Sequence, residues 1–76
     1  MASHGHATRK AVWDMLDACA PGWKCKETDH FFRVMWKDKT YPSFPKHSSI
    51  DIGHVKRLVK FLGIKACAGE HIPLLK

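Results

Sequence analysis

The sequence predicts an α+β fold in a single domain, with element order α-β-β-β-α. Two segments repeat apolar residues at helical spacing, and the stretch between them is aromatic, β-branched and broken by turn residues. With 76 residues, the chain is too short to enclose two cores. Two amphipathic helices flanking three short strands suit a three-stranded antiparallel sheet with both helices packed on one face.

The first helix rests on Val12, Met15, Leu16 and Cys19, which fall at i, i+3, i+4 and i+7. Thr8 is its expected N-cap, and Pro21-Gly22 its stop. Trp23 and Cys25 then alternate with Lys24 and Lys26 as a short strand, closed by Glu27-Thr28-Asp29. His30 to Trp36 and Thr40 to Phe44 read as a hairpin around Lys37-Asp38-Lys39. Pro42 donates no ladder hydrogen bond, so the last strand is expected at the sheet edge or with a bulge. Asp51 is positioned to cap a second helix with the apolar stripe Val55, Leu58, Val59 and Leu62, and Gly63 to end it. Residues 1–7 are expected as a disordered N-terminal tail, 8–64 as the domain and 65–76 as a C-terminal tail whose His71 to Leu75 covers Phe61.

Hydrophobic residues make up 45% of the chain and three are tryptophans, more than a disordered chain carries. A core this small is compatible with a homo-oligomer. Cys19, Cys25 and Cys67 lack the close paired spacing of a zinc ribbon or redox motif, so three reduced thiols, no metal and no cofactor are expected. No apolar run approaches the roughly 20 residues of a membrane helix, and no signal peptide is evident, so a soluble cytoplasmic protein is expected. Removal of Met1 would let the new amine, the following amides and His4 form a square-planar Cu(II) or Ni(II) site, with His6 nearby; the expected state of such a terminus is simple disorder.

Thirteen Lys and Arg against seven Asp and Glu give a formal net charge of +6. Residues 1–21 and 66–76 are each balanced, so the whole excess lies between Gly22 and Lys65. Such a cationic region favours a polyanion such as RNA over a neutral metabolite. Within it, Asp29-His30-Phe31-Phe32-Arg33 and Pro45-Lys46-His47 place two histidines among basic and aromatic side chains. Strand parity groups His30 with Phe32, Val34 and Trp36, and turns Asp29 away from it. Helix 2 offers Gly53, where a phosphate could approach closely, and Lys56, Arg57 and Lys60 at spacings suited to successive phosphates. Asp51 opposes this as a cap. Trp23, Phe31, Trp36 and Tyr41 could stack on bases, but a domain this small needs most of them for its core.

Gly22-Trp23, Asp29-His30, Pro45-Lys46-His47 and Ile50 through Ile64, including Gly53-His54-Val55-Lys56-Arg57-Leu58, occur in an order that resembles the small HicA toxins of toxin-antitoxin systems. The resemblance spans roughly residues 8–64. It implies a fold like the double-stranded RNA-binding domain (dsRBD-like), an mRNA endoribonuclease (mRNA interferase) activity, and RNA plus an acidic HicB-like antitoxin as partners. The family's catalytic histidine corresponds to His30, although Thr28-Asp29 stands where the family has Gly-Ser. Metal-independent cleavage through the RNA 2′-hydroxyl needs a base, an acid and cations at the phosphorane. His30 would be the base or acid, His47 a second proton carrier, and Lys24, Lys26, Arg33 or Lys46 the cations. Two rival expectations are a non-catalytic nucleic-acid-binding module on this scaffold and a protein-interaction subunit that meets an acidic partner.

Overall fold

Thr8 opens the first helix by accepting a hydrogen bond from the Ala11 amide at 3.1 Å, satisfying one of the orphan donors of a helix start. The computed structural model, which describes residues 5–75, places α1 at Arg9–Cys19. Val12, Met15 and Leu16 are buried along the expected stripe. Ahead of α1, His6–Thr8 forms a short strand, β1. Beyond Pro21-Gly22 come β2 (Lys24–Glu27), β3 (Phe31–Trp36), β4 (Lys39–Pro45), β5 (Ser49–Asp51), α2 (Ile52–Leu62), α3 (Lys65–His71) and a 3-10 turn at Pro73–Leu75. The terminal copper-type site at His4 lies outside the described residues.

The architecture is α+β, with a three-stranded antiparallel sheet in the order β2-β3-β4. Pro42 sits on an edge strand and also within a register shift: Phe32 pairs with Phe44, but Val34 pairs with Tyr41. The extra residue on β4 lets a proline that cannot donate remain in the strand. It also turns Tyr41 and Phe44 to the same side. Trp13 of α1 meets Phe32 at 5.4 Å and Phe44 at 5.6 Å between ring centroids, while Phe61 of α2 meets Tyr41 at 5.7 Å. Both helices therefore cover the sheet face bearing Phe32, Val34, Tyr41 and Phe44. Phe44 is fully buried, a burial worth about 1.5–3 kcal/mol.

Asp51 caps α2 by accepting from the Gly53 amide at 3.0 Å. Gly63 ends that helix at φ 75°, with its N–H directed to the Val59 and Lys60 carbonyls. A residue with a Cβ is strained there, which explains the glycine.

The structure extends the folded unit at both ends. His6 and Ala7, expected in the tail, join Thr8 in β1, which pairs with β5, and Ala7 lies opposite Ile50 in the core. Three residues are too few to display a strand pattern. Residues 65–75, expected as a second tail, form α3 and the closing turn, with Ala68, Ile72 and Leu75 buried. These apolar residues fill the core instead of covering Phe61, which remains 42% exposed beside Tyr41.

The expectation of three reduced thiols is also corrected. Cys19 and Cys67 form a disulfide, with Cα atoms 5.7 Å apart, while Cys25 is free and exposed. The partners are 48 residues apart in sequence, so only the packing of α3 against α1 pairs them. Among the described residues, no helix is long and apolar enough to cross a membrane.

Candidate nucleic-acid interface

Pairing between β2 and β3 sets Lys24 opposite Met35, Lys26 opposite Arg33 and Glu27 opposite Phe32. Since side chains alternate, Lys24, Lys26, Arg33 and Met35 lie on the sheet face away from the helices, and Phe31 shares that face by its parity with Arg33. Lys24, Lys26 and Arg33 are exposed, and Phe31 is 45% exposed. Salt bridges among the described residues join Lys10 to Asp14 and Lys46 to Glu27, so none neutralises these three cations. Like charges directly opposed on a sheet cost a few tenths to about 1 kcal/mol. An anion laid over Lys26 and Arg33 removes that cost.

Lys46 belongs to the other face. Its Nζ lies 2.7 Å from Glu27 Oε2, donates to the Thr28 carbonyl at 2.9 Å and stands 5.9 Å from the Phe32 ring centre. Arg9, which the sequence pattern did not single out, lies 5.1 Å over the same ring and donates to the Lys46 carbonyl at 2.9 Å. Lys46 thus holds the start of the β2–β3 turn to the end of β4. Its hydrogen bond and charge bring the Glu27 carboxyl below the usual range. Burial, then the Glu27 charge, push the Cys25 thiol up, with Arg9 opposing.

His30 lies in the three-residue link between β2 and β3, one residue ahead of the strand it was expected to open. The Thr28 hydroxyl shapes this link by accepting from the Phe31 amide at 3.0 Å and donating to the Phe31 carbonyl at 2.9 Å. The His30 ring is exposed, with Phe31 at 6.2 Å. Because Phe31 pairs with Pro45, His30 and the Lys46-His47 segment leave the sheet at the same end. His47 is exposed there as well. Neither imidazole is paired with a carboxylate among the described residues, so Asp29 does not act as an orienting group for His30.

The α2 residues form a separate region. The Gly53 amide is taken by Asp51, and a Cβ at Gly53 would come within 2.9 Å of that carboxylate oxygen. The glycine therefore makes room for the cap, and a phosphate would have to displace it. Lys56 and Lys60, one turn apart, line a cleft of about 370 Å³ together with Val59, Lys65 and Leu75. Lys65, in the stretch expected as a tail, is a further cation there. Arg57 is exposed on the same helix. Helix α2 packs on β4, at the sheet edge opposite β2, so tertiary structure divides the expected cationic surface into two.

The aromatic residues divide in the same way. Trp23 packs 5.0 Å from Trp13 and donates to Asp17 at 2.8 Å; Trp36 donates to the Pro21 carbonyl at 3.0 Å. Tyr41 lies between Phe44 and Phe61. Of the four stacking candidates, Phe31 alone remains on the outward basic face. No protein-family model, curated protein or solved structure matches this chain.

Proposed function

We propose that this chain is an RNA-binding domain that receives a single-stranded phosphate backbone on the outward face of its three-stranded sheet. The observation that carries this reading is the grouping of Lys24, Lys26 and Arg33, with no neutralising carboxylate among the described residues, beside exposed Phe31. Cations meet phosphates while an aromatic face stacks on a base without demanding a particular sequence. The cleft with Lys56, Lys60 and Lys65 is a second place for the strand to pass. Two helices on one face of the sheet agree with the dsRBD-like and HicA-like reading, to which β1, β5 and α3 are additions.

Fluorescence anisotropy with a labelled single-stranded RNA tests the proposal. Binding should weaken steeply with salt, and replacing Lys26 and Arg33 by alanine should lower the slope of log affinity against log salt by about 1.4, or about 0.7 per lost phosphate contact. Phe31→Ala should cost about 1–3 kcal/mol of binding. A salt-independent affinity rejects the proposal, and a greater loss on changing Lys56 and Lys60 moves the interface to α2.

A second reading is a metal-independent, HicA-like endoribonuclease in the cytoplasm, supported by the shared sheet end of His30, Lys46 and His47. RNA integrity and growth are compared on expressing the parent and His30→Ala. Intact RNA with the parent rejects cleavage, whereas cleavage retained by the variant moves the chemistry away from His30. The same basic face would receive an acidic HicB-like antitoxin. Gel filtration with the product of the adjacent reading frame should then give a saturable complex.

A further inference from the structure

Cys67 and His71 stand at i and i+4 on α3, a spacing that sets their side chains on one side of the helix. Cys19, the last residue of α1, meets them there. The two sulfur atoms and a ring nitrogen of His71 all lie within 4.8 Å of one another. A tetrahedral zinc ion with ligand bonds of about 2.0–2.3 Å needs donor atoms about 3.6–3.8 Å apart. Rotation of the two cysteine side chains, once they are separated, brings the triangle to that size. Cys19 and Cys67 are half-buried and His71 is exposed, so the position has a protein wall on one side and access on the other. The end of a helix dipole at Cys19 also favours a cation.

We propose that the Cys19–Cys67 disulfide and a zinc site are alternative states of one cross-link between α1 and α3. A dithiol reductant gives two electrons and two protons to the sulfur–sulfur bond and itself becomes a disulfide. The Cys19 and Cys67 thiols then release those two protons as both thiolates bind Zn²⁺, and neutral His71 supplies the third protein ligand. Water completes the fourth position, as in open zinc sites. Two thiolates and an imidazole select a soft or borderline ion over magnesium or calcium. In a reducing compartment the disulfide is opened, and zinc there restores the connection between the helices. This inference is independent of the RNA-binding reading.

The test uses the full chain carrying Cys25→Ser, so that only Cys19 and Cys67 remain as thiols, with His4→Ala and His6→Ala to remove the N-terminal imidazoles. After reduction and anaerobic removal of the reductant, zinc is titrated against a chromophoric chelator, and Co²⁺ is added separately as an optical probe. One zinc per chain should bind, Co²⁺ should show thiolate charge-transfer and intense tetrahedral bands, and zinc should protect both cysteines from alkylation. His71→Ala should lower zinc affinity by about tenfold or more and weaken the tetrahedral bands, while its oxidised form, with the disulfide intact, reports by circular dichroism that the variant folds. If the reduced chain unfolds, the readout is recovery of helical signal on adding zinc. Zinc uptake unaffected by His71→Ala, equal uptake by the oxidised chain, or no uptake after reduction would overturn the proposal.

Discussion

Opening the Cys19–Cys67 bond removes the covalent tie between α1 and α3, and its effect on stability follows from the length of chain it closes. The partners are 48 residues apart. The loop-closure relation assigns a loop of this size an unfolded-state entropy loss of about 13.6 cal/mol/K, or about 4 kcal/mol at 25 °C. A 76-residue domain at about 0.05–0.15 kcal/mol per residue has about 4–11 kcal/mol in all. Reduction should therefore remove a third or more of the stability and lower the melting temperature by about 15–30 °C, at about 4–8 °C per kcal/mol. The assay is thermal unfolding by circular dichroism, with and without a phosphine reductant, in chelator so that no metal substitutes for the bond. Cys67→Ser should melt with the reduced parent. Coincident melts for oxidised and reduced protein, or no Cys19–Cys67 cross-linked peptide by mass spectrometry after equilibration in a glutathione redox buffer, would refute the reasoning.

Gly63→Ala forces a side chain into φ 75°, where, among the described residues, the added Cβ meets only the Lys39 amine at 4.0 Å. Its cost is thus conformational, and urea unfolding should show a loss of about 1–2 kcal/mol. Glu27 titrates below its ordinary value because Lys46 donates to it. A lowered folded-state pKa means that the contribution is complete above the unfolded value of about 4.3 and is lost as pH falls through the lower folded value. The stability difference between the parent and Glu27→Gln should be flat near neutrality and shrink on acidification below the mid-4s; a difference that grows there contradicts the ion pair. With its thiol pushed up, Cys25 should alkylate more slowly near neutral pH than an unstructured cysteine peptide, and faster once Glu27→Gln removes the adjacent charge. Mass-resolved labelling rates check this.

Much of the fold was legible because it is written in short-range chemistry. Thr8, Asp51 and Gly63 act within a turn of their own positions, and Pro42 announces its edge position by the donor it lacks. The β1–β5 pair was hidden because its strands have three residues each and lie some forty residues apart. The candidate site was half legible. Alternation already placed Lys24 with Lys26 and Phe31 with Arg33 on common strand faces, but the Pro45-Lys46-His47 motif also enrolled Lys46, and the start of the second helix enrolled Gly53. Lys46 is occupied by the sequence-remote Glu27 and Thr28, and Gly53 by its near neighbour Asp51, the cap already expected to oppose a phosphate there. Cys67 and His71 stand in the stretch expected as a tail, so their i, i+4 relation appears only with α3, and their third neighbour, Cys19, arrives only through packing.

The amino-acid sequence by itself determined the two longer helices, the three-stranded meander, the helix caps and the excess of positive charge, since periodicity, turn chemistry and composition are local or additive. Tertiary structure alone decided which cations remain available, which aromatic side chain stays outside the core, and which cysteines meet. Those outcomes depend on distances between segments remote in the chain, where a single hydrogen bond or ion pair commits one group and leaves another open to solvent.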